Sequence, residues 1–302
     1  MGIRSSNTLI DNPIYKALAF HFPGQTSWYH EHKAMTKLLY EIDDGIGWIR
    51  FNKPEILNAI DPRETQRLVE VLQEASDDHK VKAVIISSVG DAFSVGDDLK
   101  VAMEEYPKIL SGEIHPILDI VEDITENLQE IPRIIRKSSK VFISAVRGYA
   151  VGAGFEIAID SDMIVAAENA IFGFPEMNAG MTVTGGASKL LPMIVGLNRA
   201  RELMLTGEFI DAQEAWRIGL VNKLVAPGEE EHKAEAMARM VMSRAPLAIT
   251  QHKRLLAQST EADFETVLNL EKQTISNLIY TEDYGEAIKA FTEKRKPVFK
   301  GR

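Results

Sequence analysis

Apolar and polar positions change period several times along the chain, and each change predicts an element. From Ile46 to Asn52 the segment IGWIRFN alternates as a half-buried strand does. Asp61, Pro62 and Glu64 then supply an N-cap, a first-turn proline and a capping-box acid, so a helix is expected to begin there. Leu68, Val71, Leu72 and Ala75 recur on one face of that helix, and DDHK closes it ahead of the apolar run KAVIISSV. The whole reads as strand, helix, strand. From Val101 to Lys140 the chain is polar and interrupted by Pro107, Pro116 and Pro132, yet Ile120, Ile124, Leu128 and Ile131 keep helical spacing. This predicts a variable loop leading into a helix.

VFISAV has the length and the β-rich content of a buried strand, RGYAVGAG and the small-residue segment FEIAIDSD follow it, and DMIVAAE and AIFGF read as two more short strands. Beyond about Asn198 the pattern turns helical, through RARELMLTG and DAQEAWRIG, with strand-like LVNKLVA behind them and helices from Glu229 onward. Gly207 and Gly219 are placed as helix C-caps. No internal repeat or low-complexity tract interrupts the order. The expected plan is an α/β protein with an N-terminal extension over residues 1–36, an α/β core over 37–230 and a helical C-terminal region over 231–302.

Charge and composition narrow the function. With 34 basic and 44 acidic side chains in 302 residues the formal charge is −10, which argues against nucleic acid or an anionic membrane as the main partner. At 45% hydrophobic and 26% charged residues, the chain is expected to be globular, not disordered. The absence of cysteine excludes disulfides, thiolate catalysis, iron–sulfur clusters and cysteine zinc sites, and fits a reducing compartment. The opening MGIRSSNTLIDNPIYK lacks the apolar core of a signal peptide, and no stretch approaches about 18 uninterrupted apolar residues, so a cytoplasmic enzyme is expected. His21, His30 and His32 in FHFPGQTSWYHEH contain no i, i+4 pair and have no cysteine nearby. Surface or packing roles are expected for them, with the neighbouring aromatics docking the extension on the body or on a neighbouring subunit.

Candidate chemistry lies in two glycine-rich loops. In GYAVGAGFE, between a buried strand and a helix, Gly152, Ala153 and Gly154 allow close backbone approach, and the N–H groups that open a helix have no partner within it. Such a loop can serve a developing oxyanion or simply tight packing. In DAFSVGDDLK, Gly96 follows the strand KAVIISSV and leaves the Asp97 amide free in the same way. Two convergent amides are what a thioester or ester carbonyl needs as its oxygen gains charge. Glu156 and Glu176 each sit in a short apolar, glycine-containing stretch where a solvated surface acid would be unusual, and such surroundings raise a carboxyl toward neutral pH.

Together these segments resemble the crotonase, or enoyl-CoA hydratase/isomerase, superfamily. The likeness runs from FNKPEILNAIDP through AFSVGDDLK, SAVRGYAVGAGFEIAIDSDMIVAAENAIFGFPE, TGGASKLLPMIVG and LTGEFIDAQEAWRIGLVNKLV to EAIKAFTEKRKPVFKG, covering nearly everything after about Leu38. It implies a crotonase-like spiral of ββα units with C-terminal helices that assemble trimers or dimers of trimers. It also implies an acyl-coenzyme A substrate and no separate metal or redox cofactor. The backbone N–H groups of Asp97 and Ala153 would form the oxyanion hole. Glu156 would activate water and Glu176 would supply the α-proton, with Gly96, Gly152, Gly154, Gly185 and Gly186 lining the site.

The same resemblance assigns coenzyme A recognition to the loop Asn52 to Ala59, to Asp97, Asp98, Leu99 and Lys100, and to Phe291 and Lys294 near the basic run Lys294, Arg295, Lys296. Retention of both glutamates favours enoyl-CoA hydration, in fatty-acid or aromatic degradation. An isomerase, a C–C hydrolase or lyase for a specialised acyl group, or a non-catalytic binding member of the fold are the alternatives. Asp97 departs from the usual alanine, and its side chain is expected to point toward the nucleotide side or solvent. Val183 and Thr184 replace the familiar residues before Gly185, and Ala153 replaces a glycine, which implies an unusual acyl pocket.

Overall fold

Alternation in IGWIRFN becomes a strand with both faces occupied. In the computed structural model, which describes residues 37–61, 64–98, 106–112 and 122–302, β1 (Leu38–Asp43) and β2 (Ile46–Phe51) pair antiparallel. Asp44 and Gly45 link them with φ of 43° and 83°, the backbone that a tight two-residue hairpin turn demands. The sheet continues in parallel through β3 (Ala83–Ser88), β4 (Val141–Val146), β6 (Met163–Ala167) and β9 (Lys223–Val225). A second, smaller sheet joins β5 (Tyr149–Val151), β7 (Ile171–Gly173) and β8 (Ile210–Asp211). The predicted strands VFISAV, DMIVAAE and AIFGF correspond to β4, β6 and β7.

Parallel strands covered on both faces read as continuous apolar runs because each alternate residue meets a different layer. Ile46, Trp48, Ala83, Ile85, Val141, Ile143 and Val165 pack with Ala234 and Ala238 of α7 (Glu230–Met242). On the opposite face Ile49, Phe51, Val84, Ile86, Phe142 and Val146 belong to the larger core. There they join α1 (Thr65–Asp77), through Leu68, Val71, Leu72 and Ala75, and α2 (Glu122–Lys137), through Leu128, Ile131, Ile134 and Ile135. The helix expected within Val101–Lys140 is therefore α2, with Pro132 inside it.

One boundary differs from expectation. The first helix begins at Thr65, with Glu64 in the N-cap position and no side-chain cap bond. Glu64 N donates to the Asp61 carbonyl at 2.8 Å, while its carboxylate pairs with Lys37 and Lys53 instead of closing a capping box. Pro62, the N-terminal extension of residues 1–36, Leu99, Lys100 and His115 lie outside the described residues.

Beyond β7 the chain forms α4 (Ala187–Val195) and α5 (Leu197–Thr206), with Gly207 closing α5 at φ 66°. α6 (Ala212–Arg217) is capped by Asp211, whose carboxylate accepts from Glu214 N at 2.8 Å; Gly219 follows at φ 82°. After α7 come α8 (Pro246–Ser259), α9 (Phe264–Leu278) and α10 (Glu282–Thr292). Buried Lys253 of α8 ties this region to the sheet by donating to Asp162 at 2.6 Å and to the Lys140 carbonyl at 2.7 Å. Among the described residues no helix is long and apolar enough to cross a membrane.

Candidate active site

The loop after β2 is shaped from within by Asn58. This buried side chain accepts from Lys53 N at 2.7 Å and donates to the carbonyls of Val89 and Ala92, while its backbone takes φ 56°, which asparagine tolerates better than most residues. Ser94 completes the link: its hydroxyl donates to the Asn58 carbonyl at 2.8 Å and accepts from Gly96 N at 3.1 Å. The loop of residues 52–59 and the turn after β3 are thereby locked together, with Ile60 and Asp97 bridged in parallel.

Gly96 meets the second glycine-rich loop at close range. A Cβ there would fall 2.7 Å from the Val151 carbonyl and 3.3 Å from Ala153 N, and φ is 81°, so only glycine fits without displacement. Gly152 caps α3 (Ala153–Asp160), also at positive φ, and a Cβ at Gly154 would strike Ser94. This contact brings the Asp97 and Ala153 amides to the same place. Neither N–H donates a hydrogen bond within the described residues, whereas Asp98 N donates to Ile60 O and Phe155 N and Glu156 N donate to Gly152 O. Two unspent donors beside each other can receive an oxygen that gains charge.

Glu156 and Glu176 are delivered to this point by aromatic packing. Phe155 stacks on Phe174 at 4.4 Å between ring centroids, and Gly152 N donates to Gly173 O, which fixes α3 against the 3-10 turn Pro175–Ala179. Glu156 is 3% exposed. Its Oε1 accepts from Gly185 N at 2.7 Å and Thr184 N at 3.0 Å, leaving Oε2 uncommitted. Gly185 sits tightly here, since a Cβ would lie 3.3 Å from the Glu156 side chain; Gly186 caps α4 at φ 98°. Glu176 is half-buried, with Oε1 3.1 Å from where a Gly152 Cβ would stand and Oε2 shut off from solvent without a hydrogen bond.

Burial disfavours the charged form of each acid and pushes both Glu156 and Glu176 up to about 7. The two amides on Glu156 oppose the shift, and the charges of Glu176 and Asp97 add to it. Asp97 itself is exposed, yet burial by the protein around it raises its carboxyl to about 6, and its charge adds to the upward shifts of both glutamates.

One acid escaped the sequence reading. Asp160, one helical turn after Glu156, is 6% exposed, its Oδ1 has no hydrogen-bond partner, and burial raises it well above its ordinary value. The signal was present in an acid within FEIAID at i+4 from Glu156. In contrast, Phe291 is 87% exposed at the end of α10, and exposed Lys294 follows it at φ 54°. Among the described residues no three histidine, aspartate or glutamate side chains are grouped to hold a metal ion.

The model of the family described as enoyl-CoA hydratase/isomerase matches residues 41–302. The chain belongs to the enoyl-CoA hydratase/isomerase family. Its match to that family therefore takes in nearly every described element, including both loops and both glutamates. This member is 33% identical to the short-chain-enoyl-CoA hydratase of Clostridium acetobutylicum over 87% of its own length and 97% of that protein. It is 30% identical to the crotonyl-CoA hydratase of Syntrophomonas wolfei over 88% and 98% of the two chains. The crystal structure of an enoyl-CoA hydratase from Bacillus anthracis superposes with a TM-score of 0.80 at 28% identity, covering 88% of this chain and all of that one. The fold is the expected crotonase type, mixed α/β with a helical C-terminal region.

Proposed function

We propose that this family member is an enoyl-CoA hydratase, a hydro-lyase that adds water across the 2,3 double bond of an acyl-CoA thioester. The observation that carries the reading is the pair of acids, both raised to about 7, next to two amides with no partner among the described residues. The thioester oxygen sits between the Asp97 and Ala153 N–H groups. Glu156 Oε2 accepts a proton from water as the water oxygen bonds to the β-carbon, and the π electrons move to the thioester oxygen as an enolate. As the carbonyl re-forms, the α-carbon takes the proton of Glu176. Return of the proton from Glu156 to Glu176 resets the site, so acid and base both work near neutrality.

Coenzyme A recognition is assigned to Asp98, Leu99 and Lys100, and to Phe291 and Lys294 of a neighbouring copy, because the last two are exposed in their own chain. Self-association as a trimer, or a pair of trimers, is supported by Phe264, Leu268, Ile275 and Ile279, large apolar side chains left exposed along α9. The chemistry needs no cofactor beyond the coenzyme A carried by the substrate. We place the enzyme in the cytoplasm, as the cysteine-free composition fits, and treat residues 1–36 as an extension to a core of 37–230 and a helical region of 231–302.

Mass spectrometry of the protein incubated with straight, branched, cyclic and aryl 2-enoyl-CoA thioesters tests the activity. Stereospecific gain of one water supports hydration. A shifted double bond without mass gain assigns an isomerase, and a cleaved chain assigns a C–C hydrolase or lyase.

A further inference from the structure

The Asp97 and Ala153 amides belong to separate segments, one following β3 and one opening α3, so their spacing depends on what joins the two. Backbone pairing joins them as far as Ser94, whose N–H donates to Tyr149 O at 2.9 Å and whose carbonyl accepts from Val151 N at 3.0 Å. Past that point the turn toward Asp97 leans instead on residues 57–60, through Val95 N to Leu57 O, Ile60 N to Gly96 O and Asp98 N to Ile60 O. Gly96 N donates to no carbonyl among the described residues; its acceptor is the Ser94 hydroxyl at 3.1 Å. The same hydroxyl donates to Asn58 O at 2.8 Å. A third contact is steric. A Cβ on Gly154 would stand 2.7 Å from Ser94 Cβ and 2.9 Å from its Oγ, so the first turn of α3, one residue past Ala153, is seated on this side chain. Ser94 is fully buried, and solvent does not compete for either hydrogen bond.

We infer that Ser94 is the positioning residue of the oxyanion hole: its hydroxyl sets the turn that presents the Asp97 amide, and its Cβ and Oγ seat the helix end that presents the Ala153 amide. The inference rests on the oxyanion-hole reading above and adds a residue to it. Ser94 acts through these groups and not on the reacting atoms. Because Gly96 N is engaged by the hydroxyl, the next amide along, Asp97 N, is the one left to donate. Without the hydroxyl, Gly96 N and Asn58 O become buried groups lacking partners, and a turn that rotates to satisfy them carries Asp97 N with it. Donors placed for a charged oxygen lose much of their effect over shifts of about 1 Å, so the loss falls on the charged state more than on the neutral thioester.

The test compares wild type with Ser94→Ala and Ser94→Cys. Ser87→Ala, which removes a buried β3 hydroxyl bonded to Glu231 at 2.7 Å, serves as the control for lost stability. The first readout needs no turnover. A 3-ketoacyl-CoA thioester gives up its α-proton to form an enolate with charge on the thioester oxygen, and the enolate is followed by its near-ultraviolet absorbance. The pH midpoint of that ionisation on the protein reads how well the charged oxygen is held, and the same three acids are present in every variant. Ser94→Ala should raise the midpoint by about one pH unit over wild type, a tenfold weaker hold on the enolate, while Kd for a saturated acyl-CoA changes by less than about threefold. Ser94→Cys, similar in size but a weaker donor and acceptor, should fall between. In hydration, Ser94→Ala should lower kcat by about tenfold and leave both limbs of the pH profile in place, since neither glutamate is altered. Ser87→Ala should lower Tm without moving the midpoint. If no thioester is hydrated but the midpoint rises in Ser94→Ala, positioning stands and the hydratase reading fails. An unchanged midpoint in Ser94→Ala, or in Ser94→Cys where the alanine variant does not fold, overturns the inference. An equal rise in Ser87→Ala also overturns it, by assigning the effect to general stability.

Discussion

α3 and α9 are helices of one chain with opposite relations to it. Every residue of α3, from Ala153 to Asp160, is buried, whereas α9 buries none of its own from Phe264 to Leu278. A helix built of small and apolar residues on all sides can be enclosed by sheet and neighbouring helices, and a glutamate inside it is held away from water. An amphipathic helix with Phe264 73% exposed and Ile275 55% exposed has its apolar side unused by its own chain. The lesson is that the two glutamates and both glycine turns are brought together within one chain, while α9 leaves its apolar side exposed. Changes around α3 should therefore alter chemistry and folding, and changes on α9 should alter assembly.

The largest expected effects separate the acids from everything else. Glu156→Gln and Glu176→Gln should each lower kcat by about 10²–10⁴-fold with KM within about threefold, because in the proposed reaction they act on protons in flight. In the wild type, activity should fall below pH 7 as Glu156 gains a proton and above pH 7 as Glu176 loses one, giving a bell-shaped profile. Each glutamine variant should lose one limb. A variant with near-normal turnover would remove its residue from the mechanism.

Glycines draw the same contrast next. Gly96→Ala meets the Val151 carbonyl at 2.7 Å with φ 81°, so kcat/KM should drop by about 10²–10³-fold as the two amides are forced apart. Gly285→Ala, inside α10 with nothing within 4 Å, should raise stability by up to about 1 kcal/mol. Thermal melts and kinetics on both variants would show whether backbone contact is confined to the core.

Smaller, and specific to α3, is the dependence of stability on pH. A carboxyl whose folded value lies above its unfolded one stabilises the fold fully below the unfolded value and loses that contribution as pH rises through the folded value. For Glu156 the window runs from 4.5 to about 7, corresponding to about 3 kcal/mol lost above it. Asp160 shifts in the same direction and lies beside it, with Arg136 from α2 the facing cation. Asp160→Asn should therefore raise Tm, with a gap over wild type that widens from pH 5 to pH 9. A gap independent of pH would mean that Asp160 is neutralised by a partner.

Smallest per chain is the expected effect on α9. Phe264→Ser with Ile275→Ser should change the stability of an isolated chain by no more than about 0.5 kcal/mol per site, as for surface positions in general. Light scattering should nevertheless show a lower mass. Unchanged mass would place the self-association surface elsewhere and weaken the contrast between the two helices.

Much of this was legible in the sequence because short-range patterns reflect short-range physics. The strands β2, β3, β4, β6 and β7 follow from alternation or from apolar runs, and Gly207 ends α5 as a left-handed residue should. The signal at Asp61–Glu64 announces a helix that is in place from Thr65, with Glu64 paired to Lys37 and Lys53. Glu156 and Glu176 stood out as acids in apolar stretches. Asp160 was passed over in the same stretch, since nothing in one sequence says which side of a fully buried helix finds a partner. Phe291 and Lys294 could be matched to a motif, but their exposure is a property of how α10 packs.

By itself the sequence determined the alternation of elements, the two glycine-rich turns and the presence of two acids in apolar surroundings, all of which depend on neighbours within a few residues. The tertiary structure decided that Gly96 abuts Val151, that Phe155 stacks on Phe174, and that Thr184 and Gly185 donate to Glu156. It also decided that a third carboxyl, Asp97, acts on both glutamates. These relations join residues from about 20 to more than 50 positions apart in the chain. They exist only once burial has lowered the local dielectric and close packing has brought the loops into register, which is why no local pattern could contain them.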